Sequence, residues 1–224
     1  AVFTTINDPT IFFNPLLWSG TGGSSAKTGV GFQPDFTWIK SRSNAENHCL
    51  TDAARGVNKQ LRSDVDEAES AGTDDLTAFG ADGFTVGSGG KVNASGQTYV
   101  GWNWKAGTTS VPSGGDLTPS AVSYNATSGF SIIVYTGTGD TSNTIAHGLG
   151  AVPTMMIFKN RDAAMDWVSY HEPLGNTDYL ILNNADAKAT STTRWNDTTP
   201  TSTLLTIGNT DKINTVSIDY IAYI

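Results

Sequence analysis

Gly31-Phe-Gln-Pro-Asp-Phe-Thr-Trp-Ile-Lys-Ser-Arg42 and Gly150-Ala-Val-Pro-Thr-Met-Met-Ile-Phe-Lys-Asn-Arg161 are one pattern met twice. Each begins Gly-x-x-Pro, passes through a short apolar run and ends Lys-x-Arg, at a displacement of 119 residues. Proline is tolerated at the first residue of a strand, and the run after it carries strand-forming residues. The same displacement takes Gly56 onto Gly175, Leu61 onto Leu180 and Ala68 onto Ala187. Further on, Phe84-Thr-Val-Gly and Lys91-Val-Asn93 match Leu205-Thr-Ile-Gly and Lys212-Ile-Asn214, now displaced by 121. Tyr99-Val-Gly-Trp102 matches Tyr220-Ile-Ala-Tyr223, and upstream Trp18-Ser-Gly-Thr-Gly22 mirrors Tyr135-Thr-Gly-Thr-Gly139. The change in displacement places a two-residue insertion between about Ala187 and Leu204. So many matches in one order point to an internal duplication.

Each copy reads as strands. Tyr99-Val-Gly-Trp-Asn-Trp alternates large and small side chains, as a strand with one buried face does. Ser131-Ile-Ile-Val-Tyr opens the second copy as Leu16-Leu17-Trp18 opens the first. Val65–Ala71 is the one stretch with weak helical character. Charged residues are only 15% of the chain, and Gly, Ser, Thr and Asn fill the gap, which suits short strands and tight turns better than surface helices. The expectation is an all-β protein of two tandem antiparallel β-sandwich modules, jelly-roll or lectin-like. The expected boundaries are an N-terminal arm at 1–15, module 1 at 16–106, a Gly/Ser/Thr/Pro linker at 107–128 and module 2 at 129–224. Two modules of this size can each bury a core.

Charge and composition narrow the function classes. The net charge of −8 and pI near 4.6 argue against nucleic acid and against anionic membranes, both of which call for a basic patch. Nothing approaches the roughly 18 apolar residues of a membrane helix, so no membrane insertion is expected. Cys49 is the single cysteine, so no intrachain disulfide is possible. Ala1-Val-Phe-Thr-Thr5 lacks the basic-then-apolar layout of a secretory signal, which leaves cytoplasmic folding or a signal already removed. The terminal Ile218–Ile224 run ends inside a strand pattern, as in a piece of a longer protein or an end buried against a neighbour.

Candidate sites are few. Lys40 and Arg42 share a strand face with Trp38 and could form a cationic spot for an anionic glycan. Their recurrence as Lys159 and Arg161 favours a structural role, because scaffold is what two diverged copies share. Gly20-Thr-Gly-Gly-Ser-Ser-Ala-Lys27-Thr28 fails the phosphate-loop pattern at Ala26. His48, His147 and His171 show no ligand spacing, and no Gly-x-Ser-x-Gly elbow appears. The acidic run Asp64–Glu69 has a counterpart that keeps few charges, so it reads as a solvated loop rather than a glycosidase pair. Trp195 lies in a polar stretch beside Arg194 and Asn196. Exposed, this trio would stack on a sugar ring or anchor a protein; the alternative is a tryptophan tucked onto its own sandwich. No catalytic site, metal site or cofactor is expected.

Gly31–Arg42, Phe79-Gly-Ala-Asp-Gly-Phe-Thr-Val-Gly87 and Tyr99-Val-Gly-Trp-Asn-Trp-Lys105 together resemble the repeat module of marine tailed-phage virion proteins. His147-Gly-Leu-Gly-Ala-Val-Pro153, Phe158–Arg161 and Asp166-Trp-Val-Ser-Tyr-His171 are similar to that module's other common variant. The resemblance runs from about Trp18 onward. It implies a lectin-like, concanavalin-type sandwich in a tail-fibre or capsid-decoration protein, assembled in the host cytoplasm and carried on the virion. It implies other virion proteins as partners, a homo-oligomer (a trimer in a fibre) and a host-surface glycan as a further partner, with no enzyme activity. A stand-alone carbohydrate-binding protein is the alternative.

Overall fold

The computed structural model describes residues 6–224. The chain divides into two compact units. Unit 1 comprises the described residues through Ser63 and Glu69–Gly107; unit 2 comprises Asp64–Ala68 and Thr108–Ile224.

Unit 1 contains β1 (Phe13–Ser19), β2 (Ser25–Thr28), β3 (Phe36–Ser41), β4 (Cys49–Asp52), β5 (Lys59–Gln60), β6 (Ser70–Ala71), β7 (Leu76–Gly80), β8 (Gly83–Val86), the one-turn helix α1 (Gly90–Asn93) and β9 (Thr98–Trp104). Its main sheet has the order β1-β9-β3-β4; a second has β2-β8-β7; β5 and β6 form a hairpin ladder, and every pairing is antiparallel. The alternation expected of β9 is present: Tyr99, Gly101 and Asn103 are buried and the residues between them are half-buried. Ile39, Cys49 and Tyr99 from the main sheet pack with Leu76, Phe84 and Val86 from the second, so one core lies between two sheets.

Unit 2 contains β10 (Ala121–Asn125), β11 (Phe130–Thr136), β12 (Asn143–Ala146), β13 (Met155–Asn160), β14 (Val168–His171), β15 (Asp178–Ile181), β16 (Ala189–Thr190), β17 (Leu204–Ile207) and β18 (Asp219–Tyr223). The large sheet runs β10-β11-β18-β13-β14-β15-β16, and β12 pairs with β17. Its central order, β11-β18-β13-β14, repeats the β1-β9-β3-β4 order of unit 1. Tyr135, Phe158, Val168 and Tyr220 from the large sheet share a core with Ile145, Leu205 and Ile207 from the small one. The protein is therefore all-β, with antiparallel sheets in an arrangement consistent with a β-sandwich.

The ties that hold these strands recur bond for bond. Tyr99 Oη donates to Gly90 O at 2.7 Å and accepts from Ala94 N–H; Tyr220 Oη donates to Asp211 O at 2.8 Å and accepts from Thr215 N–H. Tyr99 stacks on Trp18 at 5.6 Å between centroids, and Tyr220 on Tyr135 at 5.4 Å. The fully buried amides of Asn93 and Asn214 accept from Thr21 N–H and Thr138 N–H respectively. Each tie satisfies groups that would otherwise be costly to bury.

Three boundaries differ from the sequence reading. Residues 1–5 of the expected arm lie outside the described residues, and Phe13–Pro15 belong to β1, held in register with Trp102–Trp104. The expected linker 107–128 contains β10, which pairs with β11; its Val122 is buried in the core, a signal hidden by the surrounding Ser, Thr and Pro. The weak helix at Val65–Ala71 is absent. Asp64–Ala68 joins unit 2 and Ser70–Ala71 forms β6.

Candidate functional site

The lysines of the two Lys-x-Arg patterns bond backbone carbonyls. Lys40 Nζ donates to Ser41 O at 3.0 Å and Asn44 O at 3.4 Å. Lys159 Nζ makes the two equivalent bonds, to Asn160 O at 2.7 Å and Ala163 O at 3.3 Å, and adds a third to Asp66 O at 3.1 Å. Lys159 is fully buried. Burial pulls its ammonium down to about 8, with Asp66 and Asp166 opposing the shift. The arginines repeat through their backbone, Arg42 N–H to Thr98 O at 2.7 Å and Arg161 N–H to Asp219 O at 2.9 Å, while the Arg161 guanidinium faces Asp219 at 3.6 Å.

The Arg194–Trp195–Asn196 trio is not an exposed sugar platform. Trp195 is only 1% exposed. Its indole N–H donates to Asp178 O at 3.0 Å, and its ring packs on Phe158 and Tyr170. Arg194 is also buried, with its guanidinium 4.0 Å over the Tyr179 ring. Asn196 alone is exposed, in the left-handed region with φ of 49°. At a displacement of 119 residues Trp195 stands opposite Leu76, itself a core residue.

The remaining chemistry-bearing residues are tied locally. Lys27 donates to Ser25 Oγ at 3.0 Å and lies over Trp18, and burial lowers its pKa. His48 Nδ1 accepts from the Trp38 indole at 2.6 Å. His147 is enclosed, with Nε2 3.1 Å from Thr201 O and Nδ1 accepting from Leu149 N–H. Burial pushes the Cys49 thiol up to about 12, which removes its nucleophilicity at neutral pH. Within the acidic run, Asp64, Asp66 and Glu67 are exposed, whereas Glu69 binds Arg55 at 2.8 Å. No group of three or more His, Cys, Asp or Glu side chains poised for a metal occurs among the described residues. What does converge is a polar cluster in unit 2. Asp166 takes the Lys212 ammonium and the Asn183 amide, and both hold its carboxyl below the usual range.

Residues 8–224 match the family described as "Domain of unknown function (DUF7483)". The chain belongs to that family. One DUF7483 match thus runs through both units, from before β1 to the end of β18. No curated protein and no solved structure matches the chain. No described helix of this DUF7483 chain is long and apolar enough to cross a membrane.

Proposed function

We propose that this DUF7483 chain is a phage virion protein, of tail-fibre or surface-decoration type, built from two β-sandwich modules that arose by duplication. It acts in particle architecture, host-surface adhesion or both. The observation that carries this reading is the recurrence of strand order and buried ties in two units, joined to the virion-module resemblance of the sequence. Lys40 and Lys159, which match between the two copies, bind backbone carbonyls rather than converging on a reacting centre. A repeated scaffold of this kind leaves its loops free to vary for recognition. The partners are other virion proteins, copies of the same chain (a trimer in a fibre) and host-surface glycan, with no nucleic acid, membrane insertion, enzyme activity or cofactor.

Immunogold labelling of purified particles with an antibody to this chain tests the proposal. Labelling at the tail or capsid surface is expected; chain found only free in the lysate would overturn it. A stand-alone carbohydrate-binding protein is the second reading, favoured by the polar cluster of unit 2. Glycan binding by a chain that never associates with particles would select it.

A further inference from the structure

Three buried polar atoms of unit 2 lack a hydrogen-bond partner: Arg194 Nε, Arg194 Nη1 and Thr210 Oγ1. Arg194 is 6% exposed; the Tyr179 ring covers one face of its guanidinium and the Tyr179 side chain also bonds it, which leaves Nε and Nη1 to be satisfied. Gly208 N–H binds Arg194 O at 2.9 Å, which brings the Thr210–Asn214 turn alongside. Lys212 in that turn pairs with Asp166, which also accepts from Asn183 at 3.0 Å. The Lys212 and Asp166 side chains are 23% and 29% exposed, so the cluster meets solvent at this rim.

Unit 1 carries the same positions with different chemistry. Gln60 pairs with Ser70 as Tyr179 pairs with Ala189, and Asp75 O binds Gly87 N–H as Arg194 O binds Gly208 N–H. Lys91 stands two residues before Asn93 as Lys212 does before Asn214. At the position of Tyr179, the buried Gln60 Nε2 lacks a partner. A scaffold tie keeps its residue types, as Asn93 and Asn214 do. Tyr179, Arg194 and Thr210 stand where unit 1 has Gln60, Asp75 and Gly89, so the residue types here, and the donors they leave unpartnered, differ between the units.

We propose that Arg194, Thr210, Lys212 and Asp166 form a binding site for an acidic monosaccharide, a uronate unit of a glycan. Its carboxylate takes the Arg194 and Thr210 donors, and its hydroxyls bond Asp166 and Asn183. A single-charge ligand fits better than a phosphate dianion, because Asp166 and Asp211 lie close enough to act on Arg194 and the chain is already strongly acidic. The choice of a sugar rests on the glycan-binding side of the proposed function.

The test is an NMR titration of the full chain with D-glucuronate, with D-glucose and acetate as controls, following the Arg194 Nε–H and Trp195 indole signals. Saturable shifts with glucuronate are expected, with at least tenfold weaker binding of either control. Arg194→Met should weaken glucuronate binding at least tenfold and Thr210→Val severalfold, while Lys59→Ala leaves it unchanged. Thr210→Val, near-identical in volume, carries the mutational test if Arg194→Met fails to fold. Absence of saturable shifts, acetate binding as tightly, or full binding by Thr210→Val would each overturn the site. Failure of the chain to label particles would overturn the virion reading and leave this titration unaffected.

Discussion

His147 is held between the Thr201 carbonyl and the Leu149 N–H, a geometry that fixes the neutral ring with the proton on Nε2. Burial lowers its pKa, so the unfolded chain takes up a proton first as pH falls. Stability should therefore drop on acidification below about 6.5, the ordinary imidazole value. His147→Gln should flatten that part of a pH series of urea midpoints. Lys159 works in the opposite range. Its folded ammonium titrates near 8, whereas the unfolded side chain does so near 10.5. Between those values the folded state releases its proton first, and the Lys159 contribution to stability grows as pH rises. Measured against Lys159→Met at each pH, which cancels the opposing Cys49 contribution, the gain should be on the order of 2–3 kcal/mol. A flat difference curve would refute it. Legibility at this scale was uneven. The strand placement of Lys40 and Lys159 was legible from the apolar runs that precede them, but the core position of Trp195 was masked by its polar neighbours.

Gly20 and Gly137 show what an element boundary demands. A methyl at either would fall inside contact distance of a backbone oxygen, Ala94 O in one unit and Thr215 O in the other. Those oxygens belong to the turns that the buried Asn93 and Asn214 amides and the Tyr99 and Tyr220 hydroxyls fasten. Gly137→Ala should destabilise unit 2 by about 1–3 kcal/mol, read as a lower thermal midpoint. Gly139→Ala is a poorer probe, because its φ of 78° adds backbone strain to the steric effect. The strands themselves were readable from period-two burial, as in β9, and from the Gly-x-x-Pro openings of β3 and β13. The strand β10 was not. Its apolar content is slight, and its place is set by pairing with β11, a long-range preference that composition does not display.

For the molecule as a whole, the acidic balance is the property most open to direct test. With no basic run to displace counterions, the chain should pass unretained through heparin at pH 7 and low salt; salt-dependent retention would contradict the exclusion of nucleic acid as a partner. The all-β class was legible because turn residues and alternation agree along the chain. The assignment of Asp64–Ala68 to unit 2 was not, since a main-chain oxygen binding Lys159 leaves no mark on residue type.

That loan of five residues makes the two units non-contiguous in the gene. Severing the chain after Gly107 would leave the C-terminal fragment without the Asp66 oxygen its buried ammonium needs. Dissection by truncation should therefore yield a weakened second half, and a synthetic peptide spanning Ser63–Ser70 should restore part of its stability.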